Sequence, residues 1–288
     1  MQSAETIVAL SGIAGGSDAS VERIKHGLTN ESWLVSSARE QRVVRISNTE
    51  DDSLQINRAS EAIILATVGR AGIGPEAIVC DPARRLLVTR YVGETWSDAD
   101  ARRAANIDRV AALLRRLHSL PAPSGVREVN LLAVVEGYLQ TLDSHAMVCE
   151  MTTAVLRTRA REIAIALYQE ATERLCHNDV HALNIVENRE DGALRLIDWE
   201  YAGLGEPLFD LASISVYHRY NEPERDRLLC AYSQRVDSAD RQRLELACWL
   251  FDYIRDLWTA VREMKGVDGQ PSTIFSLPSA ALRRPPRP

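Results

Sequence analysis

Three oxygen-bearing side chains sit close together in the middle of the chain. Asp179 and Asn184 lie in His177-Asn178-Asp179-Val180-His181-Ala182-Leu183-Asn184, and Asp198 follows in Leu196-Ile197-Asp198-Trp199-Glu200. A carboxylate beside an amide oxygen suits Mg²⁺, a hard cation that keeps several waters and takes further ligands from phosphate oxygens. An acid in the loop just ahead of such a pair could receive a proton from an attacking hydroxyl. Asp179 stands there, so the chemistry indicated is the handling of a metal-bound phosphate.

The residues between them supply the geometry. Ile185 to Glu187 and Ala193 to Ile197 read as two short strands around the turn signal Glu190-Asp191-Gly192. Pairing Ile185 with Ile197 would bring Asn184 and Asp198 side by side at the open end of this hairpin. Asp and Asn are also common turn residues, but turn chemistry alone does not ask for an Asp at the end of an apolar strand. His177 reads mainly as structural, bonding the loop backbone. His181 stays open between loop packing and a catalytic contact.

His-x-Asp followed five residues on by Asn, with Leu196-Ile197-Asp198-Trp199-Glu200-Tyr201-Ala202-Gly203 and then Phe209-Asp210-Leu211-Ala212, resembles the aminoglycoside phosphotransferase and choline kinase superfamily. The downstream block looks like its choline kinase branch. The resemblance implies an α+β, two-lobed, protein-kinase-like fold, with a small N-terminal sheet lobe carrying a helix and a larger, mainly helical C-terminal lobe. It also implies that Asp179 is the base, that Asn184 and Asp198 hold Mg²⁺, that ATP is the phosphate donor, and that Asp210 braces the catalytic loop. From chemistry alone, Asp210 is first of all a helix cap.

Composition sets the frame for these motifs. The 288 residues suffice for two modest lobes, and 45% hydrophobic with 26% charged residues is ordinary globular composition. A formal net charge of −6 argues against a nucleic-acid partner and is compatible with a cationic substrate. No window reaches the apolar length of a membrane span, and Met1 to Glu5 lacks a signal peptide's basic start, so a cytoplasmic location is expected. The five cysteines, Cys80, Cys149, Cys176, Cys230 and Cys248, are scattered and form no CxxC pair.

The first lobe is expected over residues 1–91. Glu31 to Ser36 and Gln41 to Ile46 read as strands, preceded by Gly27-Leu28-Thr29-Asn30-Glu31-Ser32. A glycine followed by small polar side chains could fold over nucleotide phosphates or be an ordinary hairpin turn. Likeness to the choline kinase Gly-Leu-Thr-Asn segment points to Thr29, Asn30 and Ser32 as nucleotide contacts. Arg45 occupies the place where kinases carry the phosphate-binding lysine, and a helix from Arg58 to Leu65 places Glu61 to pair with it. Ala77 to Cys80 and Leu86 to Tyr91 read as another hairpin. By resemblance, the backbone of Tyr91 and Val92 meets the adenine edge.

A helical lobe is expected over 92–266, with a loosely ordered tail at 267–288. Its helices are Asp98 to His118, Leu131 to Ala146, Ala154 to Gln169, Leu211 to Tyr220, Glu222 to Gln234 and Ala239 to Lys265. In the last, Leu246, Leu250, Ile254, Leu257 and Val261 form a stripe for the core. Trp249 and Tyr253 lie beside it, one turn apart, with Asp252 and Asp256 on the same flank and Trp258 on a different one. Aromatic faces beside carboxylates would suit an ammonium group, yet the same pair could simply widen the core. Trp199, Glu200 and Tyr201, immediately after Asp198, are further substrate candidates. The reading is an ATP-dependent kinase for the hydroxyl of a small cationic amino alcohol, choline first and ethanolamine next. Thiamine kinase, aminoglycoside phosphotransferase and a non-catalytic nucleotide-binding pseudokinase are the rivals.

Overall fold

The computed structural model describes residues 3–13, 19–24, 30–47, 53–147, 150–169, 173–233 and 235–264. Thr29, Cys149, Lys265 and the expected tail 267–288 lie outside the described residues. After helix α1 (Ala4–Ser11), strands β1 (Ser20–Ile24), β2 (Asn30–Ser36) and β3 (Gln41–Ser47) run antiparallel. Helix α2 (Arg58–Arg70) intervenes before β4 (Ala77–Asp81) and β5 (Leu86–Arg90), and the finished sheet has the order β1-β2-β3-β5-β4.

Strand periodicity gives this sheet two different faces. Trp33, Val35, Val44 and Val88 point one way and form a buried cluster with Ile7 and Ile13. Residues of the other parity, Ser32, Leu34, Val43, Arg45, Leu87 and Thr89, line a cavity of about 540 Å³. Arg45 therefore faces the cavity because Val44 must face the α1 side. Asn57 caps α2 by accepting from the Ser60 backbone N–H at 2.9 Å, which sets Arg58 and Glu61 in its first turn.

The chain then becomes mostly helical. The expected helix from Asp98 to His118 is two helices, α3 (Asp98–Ala101) and α4 (Ala104–His118). The capping box between Ser97 and Asp100 closes the first turn, and Arg103 takes an extended conformation before α4 begins. Next come α5 (Leu131–Ser144) and α6 (Ala154–Gln169), then β6 (Arg174–Cys176), β7 (Ile185–Glu187), β8 (Leu194–Leu196) and β9 (Gly203–Gly205). Last are α7 (Leu208–Tyr217), α8 (Glu222–Tyr232) and α9 (Ser238–Met264). Helix α9 packs against α5, α6 and α7, so it is buried almost all round from Leu244 to Val261. No helix among the described residues is long and apolar enough to cross a membrane.

Two local expectations change. The β7–β8 hairpin pairs Ile185 with Leu196, not Ile197. Ile197 instead donates its N–H to the Asn184 carbonyl at 3.0 Å, so Asn184 and Asp198 still meet at the hairpin mouth. Helix α7 starts three residues earlier than expected, because Pro207 is already helical and the Glu206 carboxylate accepts from the Leu208 N–H. Asp210 thus lies inside the first turn and is not a cap.

Gly93 marks where the chain passes from sheet to helices. It runs so close to β7 that a Cβ there would collide with the Glu187 carbonyl oxygen, a fixed backbone atom. Gly93→Ala is expected to destabilise the protein by about 1–3 kcal/mol, read as a lower urea midpoint with an unchanged slope.

Candidate active site

The loop from His177 to Asn184 is held from behind by Asp210. This fully buried carboxylate accepts from the His177 N–H (2.9 Å) on Oδ2 and the Asn178 N–H (2.6 Å) on Oδ1. Oδ2 also takes the Nε2–H of His118 at 2.9 Å, whose Nδ1 meets the Tyr232 hydroxyl at 2.8 Å. Asp210 thus holds loop backbone, the bracing that the resemblance implied, and does not cap α7. His118, Cys176 and Asp210 bring metal-ligating atoms within 4.8 Å of one another. Both Asp210 oxygens are committed to N–H donors, and burial pushes the Cys176 thiol well above its ordinary range, so this trio reads as part of the brace. His177 is also structural, its Nε2 bonding the Ile197 carbonyl (2.9 Å) and its Nδ1 accepting from the Asp179 N–H (3.3 Å).

With that backbone fixed, Asn178 takes a left-handed conformation (φ 66°) and Asp179 faces the cavity. Asp179 Oδ1 accepts from the Tyr217 hydroxyl at 3.0 Å. Its Oδ2 accepts from Asn184 Nδ2 at 3.0 Å, with His181 Nε2 at 3.5 Å. Burial would raise the Asp179 carboxyl, but His181, His177 and Tyr217 outweigh it and hold the group below its ordinary value. Asn184 spends its amide nitrogen on Asp179, which leaves the amide oxygen as its end for a cation.

Asp198 is the second left-handed residue here (φ 63°). Burial and the neighbouring Glu200 charge push its carboxyl up to about 8, against the opposing pull of Arg45. Arg45 bridges Asp198 (3.1 Å) and Glu61 (2.7 Å), so the expected ion pair is present and shared with a third group. Arg58, which no motif singled out, joins Glu61 (3.0 Å), Glu200 (3.0 Å) and Asn30 Oδ1 (3.1 Å). Asn30 in turn donates to Glu200 at 2.7 Å. Burial works against the Glu61 charge, but Arg45 and Arg58 hold its carboxyl below its ordinary value.

The remaining expected residues divide between cavity and core. Ser32, Tyr91, Val92, Glu200 and Tyr201 line the cavity. Trp249, Asp252 and Tyr253 do not. Tyr253 is fully buried, stacks on Trp249 with ring centroids 5.5 Å apart, and donates its hydroxyl to the Met151 carbonyl at 2.7 Å. Asp252 pairs with Arg255 at 2.5 Å. The reason is the packing of α9, which has helices around the Trp249 flank as well as along its apolar stripe. Its cavity side instead presents Phe251, Ile254, Arg255 and Trp258, with Phe209 and Tyr217 of α7 opposite. Phe251 packs on both of these, at 5.0 and 5.4 Å between centroids, and Trp258 donates to the Tyr201 hydroxyl at 2.8 Å.

One cavity thus gathers Arg45 from the sheet with an acid, an amide and a second acid, Asp179, Asn184 and Asp198. The family model for choline/ethanolamine kinase matches residues 21–244. The chain belongs to this family. It is therefore a small-molecule kinase. It is 28% identical over 256 residues to the protein LicA of Haemophilus influenzae, covering 83% of this chain and 92% of that one. Its fold matches the crystal structure of the choline kinase LicA from Streptococcus pneumoniae with a TM-score of 0.79 at 22% identity, over 98% of each chain. A spectinomycin phosphotransferase in complex with ADP and spectinomycin shares the fold at a TM-score of 0.61 and 13% identity, over 96% of this chain and 93% of that one. The kinase thus has the protein-kinase-like phosphotransferase architecture expected from its motifs.

Two buried histidines of the kinase are held neutral. Burial lowers both His177 and His218 below the ordinary 6.5, although Asp210 and Asp98 respectively pull back. His218 Nδ1–H donates to Asp98 (2.7 Å) and its Nε2 accepts from the Ala182 N–H (2.9 Å), so protonation would break the loop contact. The unfolded chain takes up the proton first, so this stabilisation is full above about pH 6.5 and is lost as pH falls below it. A glutamine can make both hydrogen bonds without titrating. His218→Gln should therefore show a shallower loss of melting temperature between about pH 7 and 5 than the wild type, and identical profiles would refute the assignment.

Proposed function

We propose that the kinase transfers the γ-phosphoryl group of ATP to the hydroxyl of choline, with ethanolamine a poorer acceptor. The observation that carries this reading is the acceptor end of the cavity. Phe209, Tyr217, Phe251, Trp258 and Tyr201 wall it, while Asp252 of α9 is tied to Arg255 and lies outside the cavity. A quaternary ammonium is satisfied by ring faces alone, whereas a primary ammonium also wants hydrogen-bond acceptors for its N–H groups.

On this reading the chain near Gly93 divides a nucleotide-binding lobe, residues 1–91, from the catalytic and acceptor lobe, 92–266. Val43, Leu87, Leu183, Val186 and Ile197 sandwich the adenine. The Tyr91 N–H is spent on the Gln41 carbonyl and the Val92 carbonyl on the Arg189 N–H. An adenine edge therefore uses the Tyr91 carbonyl and the Val92 N–H. Arg45 steadies the phosphates, giving up its hold on Asp198, and Glu61 keeps it aimed. Asp179 orients the acceptor hydroxyl and receives its proton.

Asn184 and Asp198 fit Mg²⁺ by donor type, one amide oxygen and one carboxylate. The charges of the described network agree, since among the described residues Glu61, Asp198 and Glu200 outnumber Arg45 and Arg58 by one and Asp198 is pushed toward protonation. When bound, Mg²⁺ neutralises charge on the transferring phosphoryl group.

ADP release with choline, ethanolamine, thiamine and kanamycin tests the acceptor. Choline should give the highest kcat/KM, and preference for thiamine or kanamycin would sink the proposal. Stabilisation by nucleotide without transfer to any of them would point to a non-catalytic protein. Asp179→Ala should reduce turnover by about 10²-fold or more with little change in melting temperature; full retained activity would remove Asp179 from the mechanism.

A further inference from the structure

One face of α7 serves as a template for the catalytic loop. Asp210 holds the N–H groups of His177 and Asn178, and Ser213 donates its hydroxyl to the Val180 carbonyl at 3.0 Å. His218, just past the helix end, holds the Ala182 N–H. Positions 210, 213 and 217 are spaced three and seven apart, which places them on one side of a helix. Asp210, Ser213 and His218 hold loop backbone. The fourth residue, Tyr217, reaches the side chain of the proposed base.

That fourth contact has a separate physical effect. A carboxylate anchored at one oxygen can still turn about its Cβ–Cγ bond. Asn184 anchors Oδ2 of Asp179, and the Tyr217 hydroxyl anchors Oδ1, so the two together fix the plane of the group. Burial and the Asp179 charge push the Tyr217 phenol well above its ordinary range, so the hydroxyl remains a donor. Its ring is held edge-on by His181 (4.7 Å between centroids) and by Phe251 (5.4 Å). The same ring lines the acceptor end of the cavity.

We infer that Tyr217 is a positioning residue that locks the carboxylate plane of Asp179 and ties it to the wall against which the acceptor is held. This rests on the reading of Asp179 as the base. It goes beyond that reading in assigning a role to a residue outside the Asp-Asn-Asp set. An acceptor seated on the Tyr217–Phe251 wall then meets a carboxylate already turned toward it, because one side chain sets both positions.

Tyr217→Phe tests this, since it keeps the ring packing and removes only the hydroxyl. Expected are a fall in kcat of about 10-fold, with KM for ATP and for choline within about twofold of the wild type and a melting temperature within a few degrees. Unchanged kcat, or a loss confined to KM, overturns the inference. Tyr217→Leu, which also removes the ring, should lose kcat and raise KM for choline. If Leu impairs the enzyme and Phe restores full kcat, the role is packing and the inference fails. Crystals of Tyr217→Phe give a readout independent of the acceptor. The Asp179 carboxylate should be rotated from its wild-type plane, and an unrotated carboxylate overturns the inference whichever alcohol the wild type phosphorylates. A wild type inactive on choline would overturn the acceptor reading alone.

Discussion

A buried negative charge at Asp210 is the constraint on which the site depends. A carboxylate wholly removed from water costs several kcal/mol unless its lone pairs are filled. Here they are filled by two loop N–H groups and the imidazole of His118, while the group sits in the first turn of α7, where the helix dipole favours negative charge. The loop cannot leave without stranding that charge. Its backbone is therefore determined before any catalytic side chain is considered. The left-handed Asn178 follows from holding two consecutive N–H groups on one carboxylate, and its own side chain finds the Tyr201 carbonyl at 3.0 Å.

A second constraint joins the sheet to the segment after β8. Arg45 and Arg58 each reach two acids, with Glu61 common to both. Because Asp198 and Glu200 are two residues apart, the arginines draw the Asp-Trp-Glu segment against β3 and α2. Arg127 holds it from the other side, donating to the Tyr201 carbonyl (2.7 Å), the Ala202 carbonyl (3.1 Å) and the Gln55 carbonyl. Buried ion pairs add little net stability, but they fix geometry, since breaking one uncovers another charge. Among the described residues three acids face two arginines in this network, and Asp198 is the acid pushed toward protonation. A cation arriving there would relieve it while freeing Arg45 for phosphate.

How much of this could be read from the chain depended on how local each relation is. Asn184 and Asp198 meet through one short hairpin, and a register error of one residue, Ile197 for Leu196, did not separate them. The Arg45–Glu61 pair was expected from the resemblance to kinases, and strand parity with a helix start is what lets it form. Arg58 was missed although its spacing of three from Glu61 was visible, since a helix pair of that kind is usually a solvated surface feature. Its partners Glu200 and Asn30 lie 142 and 28 residues away, and no local pattern announces them. Tyr217 carries no motif either. Its role depends on the phase of α7 relative to the loop, and the expected helix began three residues late.

Helix α9 shows the same limit from the other side. Periodicity identified its stripe from Leu246 to Val261, and every residue of it is buried. Periodicity gives the width of an apolar face but not what packs on the flanks. With α5, α6 and α7 around it, the Trp249 flank became core and the Phe251 and Trp258 side became cavity. The consequence is electrostatic. Had the Asp252 flank faced the acceptor, a carboxylate would have met it. Instead Asp252 pairs with Arg255, and on the proposed reading the rings of Phe209, Tyr217, Phe251, Trp258 and Tyr201 face the acceptor. Ring faces attract a diffuse cation without demanding a directed hydrogen bond, so on that reading selectivity for a headgroup would shift from charge pairing to size and shape. On the proposed reading, Asp179 and Asp198 are then the carboxylates assigned to the hydroxyl proton and the phosphate-bound metal.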